Sequence, residues 1–435
     1  MPVSIGLVRF PMPDDGTSKP VIIAKVAKAR AHRKKLLTKV ATATKGEREK
    51  RQKEYLGSSL VRLAALTEAA GRLEYHQRRT IPEYEVMAAS LTLFKPINED
   101  VFIYLKPKGN DEYRYFCDFG VRHRAAQALV ADLMRLQFKP RPYQYDVAGR
   151  GVRRAVQRIR ALHAKKYVHG VRLDVKRFYD SFHHQAILSA LPLPKAIIEH
   201  VVIGQHYNLK QGKQEVEPTQ TDILSEYQHF VGQSGIPQGS ACSPVIGQFF
   251  VSKLGFKLPK GAVVLNYADD FLVLAQSPEK GEKATNALHA ALAAVSVGNF
   301  ELREKSGSSI HSGFEFLGHH FSETAFGKLR IDITPANQFK IHSNIAGEIE
   351  ALKKLAHKPA KAAAYKDWVV LDRIVKLARH IMSWVQTFSE ADEVEEFEQY
   401  LWIIFKDFCK EIGIDPSKPL AIAKSKKVAD AELYG

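Results

Sequence analysis

Residues 263–275 read "VVLNYADDFLVLA", which sets two adjacent carboxylates in the middle of an apolar run. Val263, Val264, Leu265 and Tyr267 on one side, and Phe271, Leu272, Val273 and Leu274 on the other, predict two short β-strands. Ala268, Asp269 and Asp270 are left for the turn between them. Burying charge beside so much hydrocarbon costs several kcal/mol unless the charges are paired or bind a metal. Two aspartates at the tip of an apolar hairpin therefore call for a cationic partner.

Upstream, "YVHGVRLDVKRFYDSF" predicts a strand through Tyr167, Val168, Val171, Leu173 and Val175 that carries Asp174 near its end, followed by the aromatic pair Phe178 and Tyr179. An acid at a strand end can face an acid at the tip of a neighbouring hairpin. Such carboxylates suit a pair of Mg²⁺ ions, with Mn²⁺ an alternative, because hard cations want oxygen ligands. Between the two motifs lies "GIPQGSACSPVIGQFF", residues 235–250. Gly235, Pro237 and Gly239 predict a tight loop whose backbone approaches a ligand closely. Ser243 is expected to cap a helix that has Pro244 at its first position. Each block alone is weak; the three in this order are far more specific.

The remainder of the 435 residues bounds the reading. The 64 Lys+Arg against 47 Asp+Glu leave a charge of +17, which points to a polyanionic partner. The N-terminus "MPVSIGLVRFPMPDDG" does not resemble a signal peptide, and no run approaches a membrane span. Cys117, Cys242 and Cys409 are scattered and odd in number, which fits a reducing cytoplasm and neither a disulfide framework nor a zinc cluster. Residues 21–56 predict one or two basic helices, with twelve Lys or Arg between Lys25 and Lys53. Of these, Arg30, Arg33, Lys34 and Lys35 are expected to contact RNA phosphates. From about 335 to 415 the pattern is helical, and the polar stretch 416–435 is expected to be a mobile tail. The segment 208–233 reads either as a subfamily mark or as a solvated insertion.

With these blocks in hand, the sequence resembles the bacterial, non-retroviral reverse transcriptases over about residues 100–325. "RLDVKRFYDSF" is similar to that family's first palm motif, which implies Asp174 as a metal ligand and the Val175 carbonyl as a second contact. "YADD" is similar to its catalytic hairpin, with Asp269 the principal ligand and Asp270 its support. "GIPQGSACSP" implies a nucleotide-contacting loop centred on Gln238 and Gly239. "LREKSG" implies that Lys305 protonates the leaving pyrophosphate. "GFEFLGHHF" implies a primer grip at Phe316, Leu317 and Gly318, and "LKPKGNDEYRYF" implies that Lys108 and Arg114 hold the triphosphate of a dNTP. Tyr179 matches the bulky aromatic that excludes a 2′-hydroxyl, so the resemblance implies a DNA product.

The expected fold is α+β: a right-hand polymerase with a split βαββαβ antiparallel palm. Its expected divisions are a basic helical N-terminal extension running into the fingers (1–95), fingers (96–165), palm (166–330), helical thumb (331–415) and tail. Among family members the chain is most similar to stand-alone enzymes linked to antiphage defence that copy a partner noncoding RNA. Retron, intron and diversity-generating types, template-independent or protein-primed synthesis, and a non-catalytic RNA-binding maturase remain alternatives. A second basic surface is expected on the thumb at Lys353, Lys354, Lys358, Lys361, Lys366, Arg373, Lys376 and Arg379.

Overall fold

The structure, a computed structural model, describes residues 19–71, 73, 77–109, 112–212, 227, 234–357 and 363–424. The apolar hairpin forms as expected: β5 (Ala262–Tyr267) and β6 (Asp270–Ala275) are antiparallel. The turn is one residue tighter than the sequence suggests. Asp270 pairs with Tyr267 inside the ladder, so only Ala268 and Asp269 lie outside it. On the other side β6 pairs with β3 (His169–Val175), which pairs in turn with β7 (Leu302–Ser309). The sheet order is β5-β6-β3-β7.

Helices enter this sheet where the split βαββαβ layout requires them. Ser243–Val251 precedes β5, and Pro278–Ala293 joins β6 to β7. One sheet face, through Leu173, Phe271 and Val273, shares a core with these helices. The opposite face, through Leu265, Leu272 and Leu274, packs on the helix Gly151–His163 and on Phe314, Phe316 and Phe321 of a small second sheet. Covering on both faces explains why β6 is apolar at nearly every position instead of alternating. The result is the palm of a right-hand polymerase fold.

Three further layers surround the palm. The fingers sheet pairs β1 (Asp100–Gly109) antiparallel with β2 (Glu112–Phe119), and β4 (Asn208–Gln211) adds in parallel on the other edge of β1. The beginning of the 208–233 segment is thus part of the fingers sheet. The small sheet, β8 (Phe314–Phe316), β9 (His319–Glu323) and β10 (Leu329–Ile333), leads into the thumb. The thumb helices Pro335–His357, Ala363–Thr387 and Val394–Glu411 close over Ile345, Leu352, Ile374, Ile381, Leu401 and Phe405. Residues 417–424 are also helical, and Ala423 is buried in that core, so the expected tail begins later than 416. Residues 425–435 lie outside the described residues.

The basic N-terminal helices Lys19–Thr42 and Arg48–Gly57 form, but they are not a free appendage. Ala29, Leu36 and Val40, spaced to share one helical face, are buried in the same core as the fingers helix Val121–Arg135. Arg33 corrects the sequence expectation most clearly. Its guanidinium donates to the Asp132 carboxylate at 2.6 and 3.0 Å and to Glu68 at 2.7 Å, and the Tyr55 hydroxyl donates to the same Asp132 at 2.7 Å. Burial alone would lower the Arg33 pKa, but Asp132, Tyr55 and Glu68 together outweigh it and raise the value above its ordinary range. Arg33 is a tie between layers and is not an RNA-facing cation. Lys34 and Lys35 are exposed and Arg30 is half-buried.

On the thumb, Arg373 is forked onto Glu348 at 2.8 Å, Lys353 meets Glu411 at 2.8 Å, and Lys376 meets Asp372 at 2.9 Å. The positive surface expected there is therefore partly neutralised. Lys358 and Lys361, and the side chain of Lys366, lie outside the described residues. Lys354 is exposed and Arg379 half-buried.

Candidate active site

The hairpin tip is assembled by a residue to which the sequence reading gave no role. Asn266, the polar residue in the strand "AVVLNY", is buried, and its side-chain amide donates to the carbonyls of Ala268 at 2.9 Å and Asp270 at 3.2 Å. These bonds hold Ala268 at φ +54°, a left-handed conformation that costs a non-glycine residue about 1–3 kcal/mol. The Val175 N–H donates to the Asp269 carbonyl at 3.0 Å, which ties the end of β3 to the tip. Asp174 and Asp270 are direct cross-strand partners.

Cations converge on these acids. Lys305 Nζ lies 3.0 Å from Asp174 and 3.4 Å from Asp270. Arg172 stands 3.3 Å from Asp270, and Arg303 stands 3.6 Å from Asp174. The ladder between β3 and β7 steps from Arg172↔Ser306 to Leu173↔Glu304, so Lys305 is the extra residue of a β-bulge. Bulges beside active sites re-aim side chains, and this one delivers Lys305 to the carboxylates. The Asp269 carboxyl is pushed above the usual range by burial first, then by the charges of Asp270 and Asp174, with Lys305 opposing them. Asp270 and Asp174 thus act on Asp269 across the tip.

Among the described residues no three His, Cys, Asp or Glu side chains are gathered as a ready-made metal cage. The donor chemistry nevertheless fits a hard divalent cation. The donors are carboxylates, two of them already share one ammonium, and the third is destabilised by their charge.

Beside the acids lies a cavity of about 380 Å³ lined by Lys106, Arg114, Tyr179, Gln238, Gly239 and Ser243 among others. The structure thus brings together Arg114, Tyr179, Gln238 and Gly239, as expected. Lys108 falls at an irregular step of the ladder between Pro107 and Gly109, and its side chain lies outside the described residues. Among the described residues, Lys106 lines the cavity, directly opposite Arg114 in the register and with its ammonium over the Phe116 ring. Two-residue periodicity could have found it, since Lys106 and Lys108 share one strand face.

Tyr179 reaches the cavity because Arg177 turns left-handed at φ +48° and opens the short 3₁₀ turn Phe178–Ser181. Burial, then the charges of Asp269 and Asp146, raise the Tyr179 pKa well above its ordinary value. The hydroxyl therefore stays protonated at neutral pH.

The Gln238 loop is fastened from several directions. The Ile236 N–H donates to the Tyr179 carbonyl at 2.8 Å, and the Cys117 N–H of β2 donates to the Gln238 carbonyl at 2.8 Å. Gln238 Nε2 donates to Asp180 at 2.9 Å. Gly239 has φ +101°, and a Cβ there would collide with the Cys117 carbonyl, so glycine is required. Ser243 differs from expectation: Cys242 occupies the cap position, and the Ser243 hydroxyl donates to the Pro237 carbonyl at 2.8 Å, closing the loop.

The expected primer grip is the turn between β8 and β9. Leu317 and Gly318 are left-handed at φ +52° and +78°. Phe316 is a core side chain packed under the turn, and Leu317 packs against the same core.

A four-stranded antiparallel palm with acids on adjacent strands and a basic cavity beside them defines the right-hand polymerase fold. Residues 106–321 match the family described as "Reverse transcriptase (RNA-dependent DNA polymerase)". The chain thus carries a reverse transcriptase domain over those residues. No curated protein matches the chain.

Among solved structures, the chain is similar to a Candida albicans telomerase in complex with a TWJ fragment of telomeric RNA, at 11% identity and TM-score 0.34, covering 76% of this chain and 62% of that one. An apo Candida tropicalis telomerase truncated from its C-terminal domain gives 13% identity and TM-score 0.32, over 55% of this chain and 56% of that one. The RNA-dependent RNA polymerase of bacteriophage phi12 gives 11% identity and TM-score 0.33, over 72% and 47%. The chain spans less than two thirds of each of these three. Among the described residues no helix is long and apolar enough to cross a membrane.

Proposed function

We propose that this chain copies RNA into DNA, extending a primer 3′-hydroxyl with dNTPs. The observation that carries the reading is the juxtaposition of Asp174, Asp269 and Asp270 with the Lys106–Arg114–Gln238 cavity. The three aspartates are the residues that would hold divalent magnesium. When bound, the metal supplies Lewis-acid activation of the attacking hydroxyl and neutralises charge on the leaving pyrophosphate. Lys106 and Arg114 would grip the triphosphate through charge-assisted hydrogen bonds, and Lys305 is placed to protonate the departing pyrophosphate. The ring of Tyr179 would occupy the space of a ribose 2′-hydroxyl and discriminate against NTPs.

Beyond copying itself, the chain reads as a bacterial enzyme that copies a partner noncoding RNA in antiphage defence. The unaltered "GIPQGS" loop and the exposed Lys34, Lys35 and Lys354 support that reading, and the rest of it stands on resemblance. Incorporation of labelled dNTP or NTP on a primed RNA template tests the activity. DNA product that depends on Mg²⁺ or Mn²⁺ supports it, and product from NTPs at the same rate overturns the sugar assignment.

A further inference from the structure

The 208–233 segment does more than lengthen a connection. β4 extends the fingers sheet, and Tyr227, farther along the same stretch of sequence, is almost fully buried. The Tyr227 hydroxyl lies 2.8 Å from the Cys117 sulfur, and its ring packs on Tyr115 at 5.3 Å between centroids. Cys117 is the residue whose N–H holds the Gln238 carbonyl. The charge of Asp180, which accepts from the Gln238 side chain, also acts on the Tyr227 hydroxyl. Tyr227, Tyr115, Asp180, Pro237 and Gln238 close around a void of only about 10 Å³, so the contact is tightly packed.

We infer that Tyr227 is a positioning residue for the nucleotide cavity: it wedges between β2 and the Gln238 loop and fixes Gln238 and its partner Asp180 from behind. The inference rests on reading that cavity as the dNTP site. Gln238 lines both the cavity and the small void, whereas Tyr227 lines only the void, so Tyr227 acts through Gln238. A residue that merely stabilised the fold would change the fraction of active enzyme and leave nucleotide affinity alone. A positioning residue changes the affinity.

Tyr227→Phe keeps the ring and removes the hydroxyl, and Tyr227→Ala removes the wedge. Loss of one buried hydrogen bond corresponds to about a 3- to 10-fold effect on affinity. The expected result for Tyr227→Phe is a rise of that size in KM for dNTP, with kcat and primer–template affinity close to wild type. Tyr227→Ala should raise KM further. Gln238→Ala combined with Tyr227→Phe should add little to Gln238→Ala alone, because both act through one group.

Equilibrium binding of dTTP to the free protein reads the same cavity without catalysis. Wild-type protein that fails to extend any primer sinks the proposed activity. Unchanged dTTP affinity and KM in Tyr227→Phe, in a variant that melts like wild type, sinks the positioning role alone. If Tyr227→Ala does not fold, Tyr227→Phe decides.

Discussion

Replacing Arg33 by Gln tests whether the basic N-terminal helix is scaffold or RNA-binding surface. Arg33 and Asp132 have side chains only 14% and 15% exposed, and the guanidinium makes two contacts to one carboxylate oxygen. Removing one partner of a buried ion pair costs about 3–5 kcal/mol, because the other charge is left without compensation. Here Asp132 keeps the Tyr55 hydroxyl and the more exposed Arg135 at 3.3 Å, so the loss belongs at the lower end, about 3 kcal/mol. Arg33→Leu with Asp132→Leu removes both charges and should recover much of that loss, since well-packed apolar pairs replace buried ion pairs at little cost. Urea denaturation of the single and double variants measures both terms. A single variant within about 1 kcal/mol of wild type would refute the structural role. A double variant as unstable as the single one would refute the uncompensated-charge explanation.

Other expectations follow from the same geometry. Tyr179→Gly should raise ribonucleotide incorporation at least about tenfold, and equal dNTP-over-NTP discrimination in the two enzymes would remove Tyr179 as the sugar gate. Burial lowers the pKa of His123 and of His319 to about 4, from 6.5. The unfolded chain therefore binds more protons between these values, and each histidine's contribution is fully present above about pH 6.5 and lost towards pH 4, on the order of 3 kcal/mol. Melting across that range should show the loss, and a flat profile would contradict it. Neutralising Lys34 and Lys35 together should reduce the salt slope of RNA binding by about 1.5 without lowering stability, and an unchanged slope would leave them as solvated cations. Sequencing RNA crosslinked to the protein in cells should recover one abundant structured species, and a broad transcript sample would sink the dedicated-template reading.

The palm was legible because each of its devices is local. Alternating and continuous apolar runs define β3, β5 and β6, and Asp174, Asp269 and Asp270 stand at strand ends where only a metal or cation partner makes their burial tolerable. What stayed hidden depends on distant partners. Arg33 reads as one more cation in a basic helix, and only the fold brings Asp132 and Glu68 to it. Lys106 and Lys108 are equivalent by strand period, and only the fold shows Lys106 lining the cavity. Asn266 sits in an apolar strand with no local sign that it braces a left-handed Ala268. Tyr227 lies in a polar stretch, and its burial against Cys117 is set by a sheet pairing more than a hundred positions away in sequence. Lys305 was read from its motif, but the bulge that aims it is a property of the β3–β7 register.

The central claim is that carboxylates at the hairpin tip carry metal-dependent DNA synthesis. Single-turnover extension of a primed RNA template by wild type and by Asp269→Asn, with melting and RNA affinity measured alongside, tests it most directly. The account predicts that the Asn variant keeps its fold and binds template while losing extension by at least about a thousandfold, the scale expected when essential electrostatic machinery is removed. Extension by Asp269→Asn at the wild-type rate would contradict it.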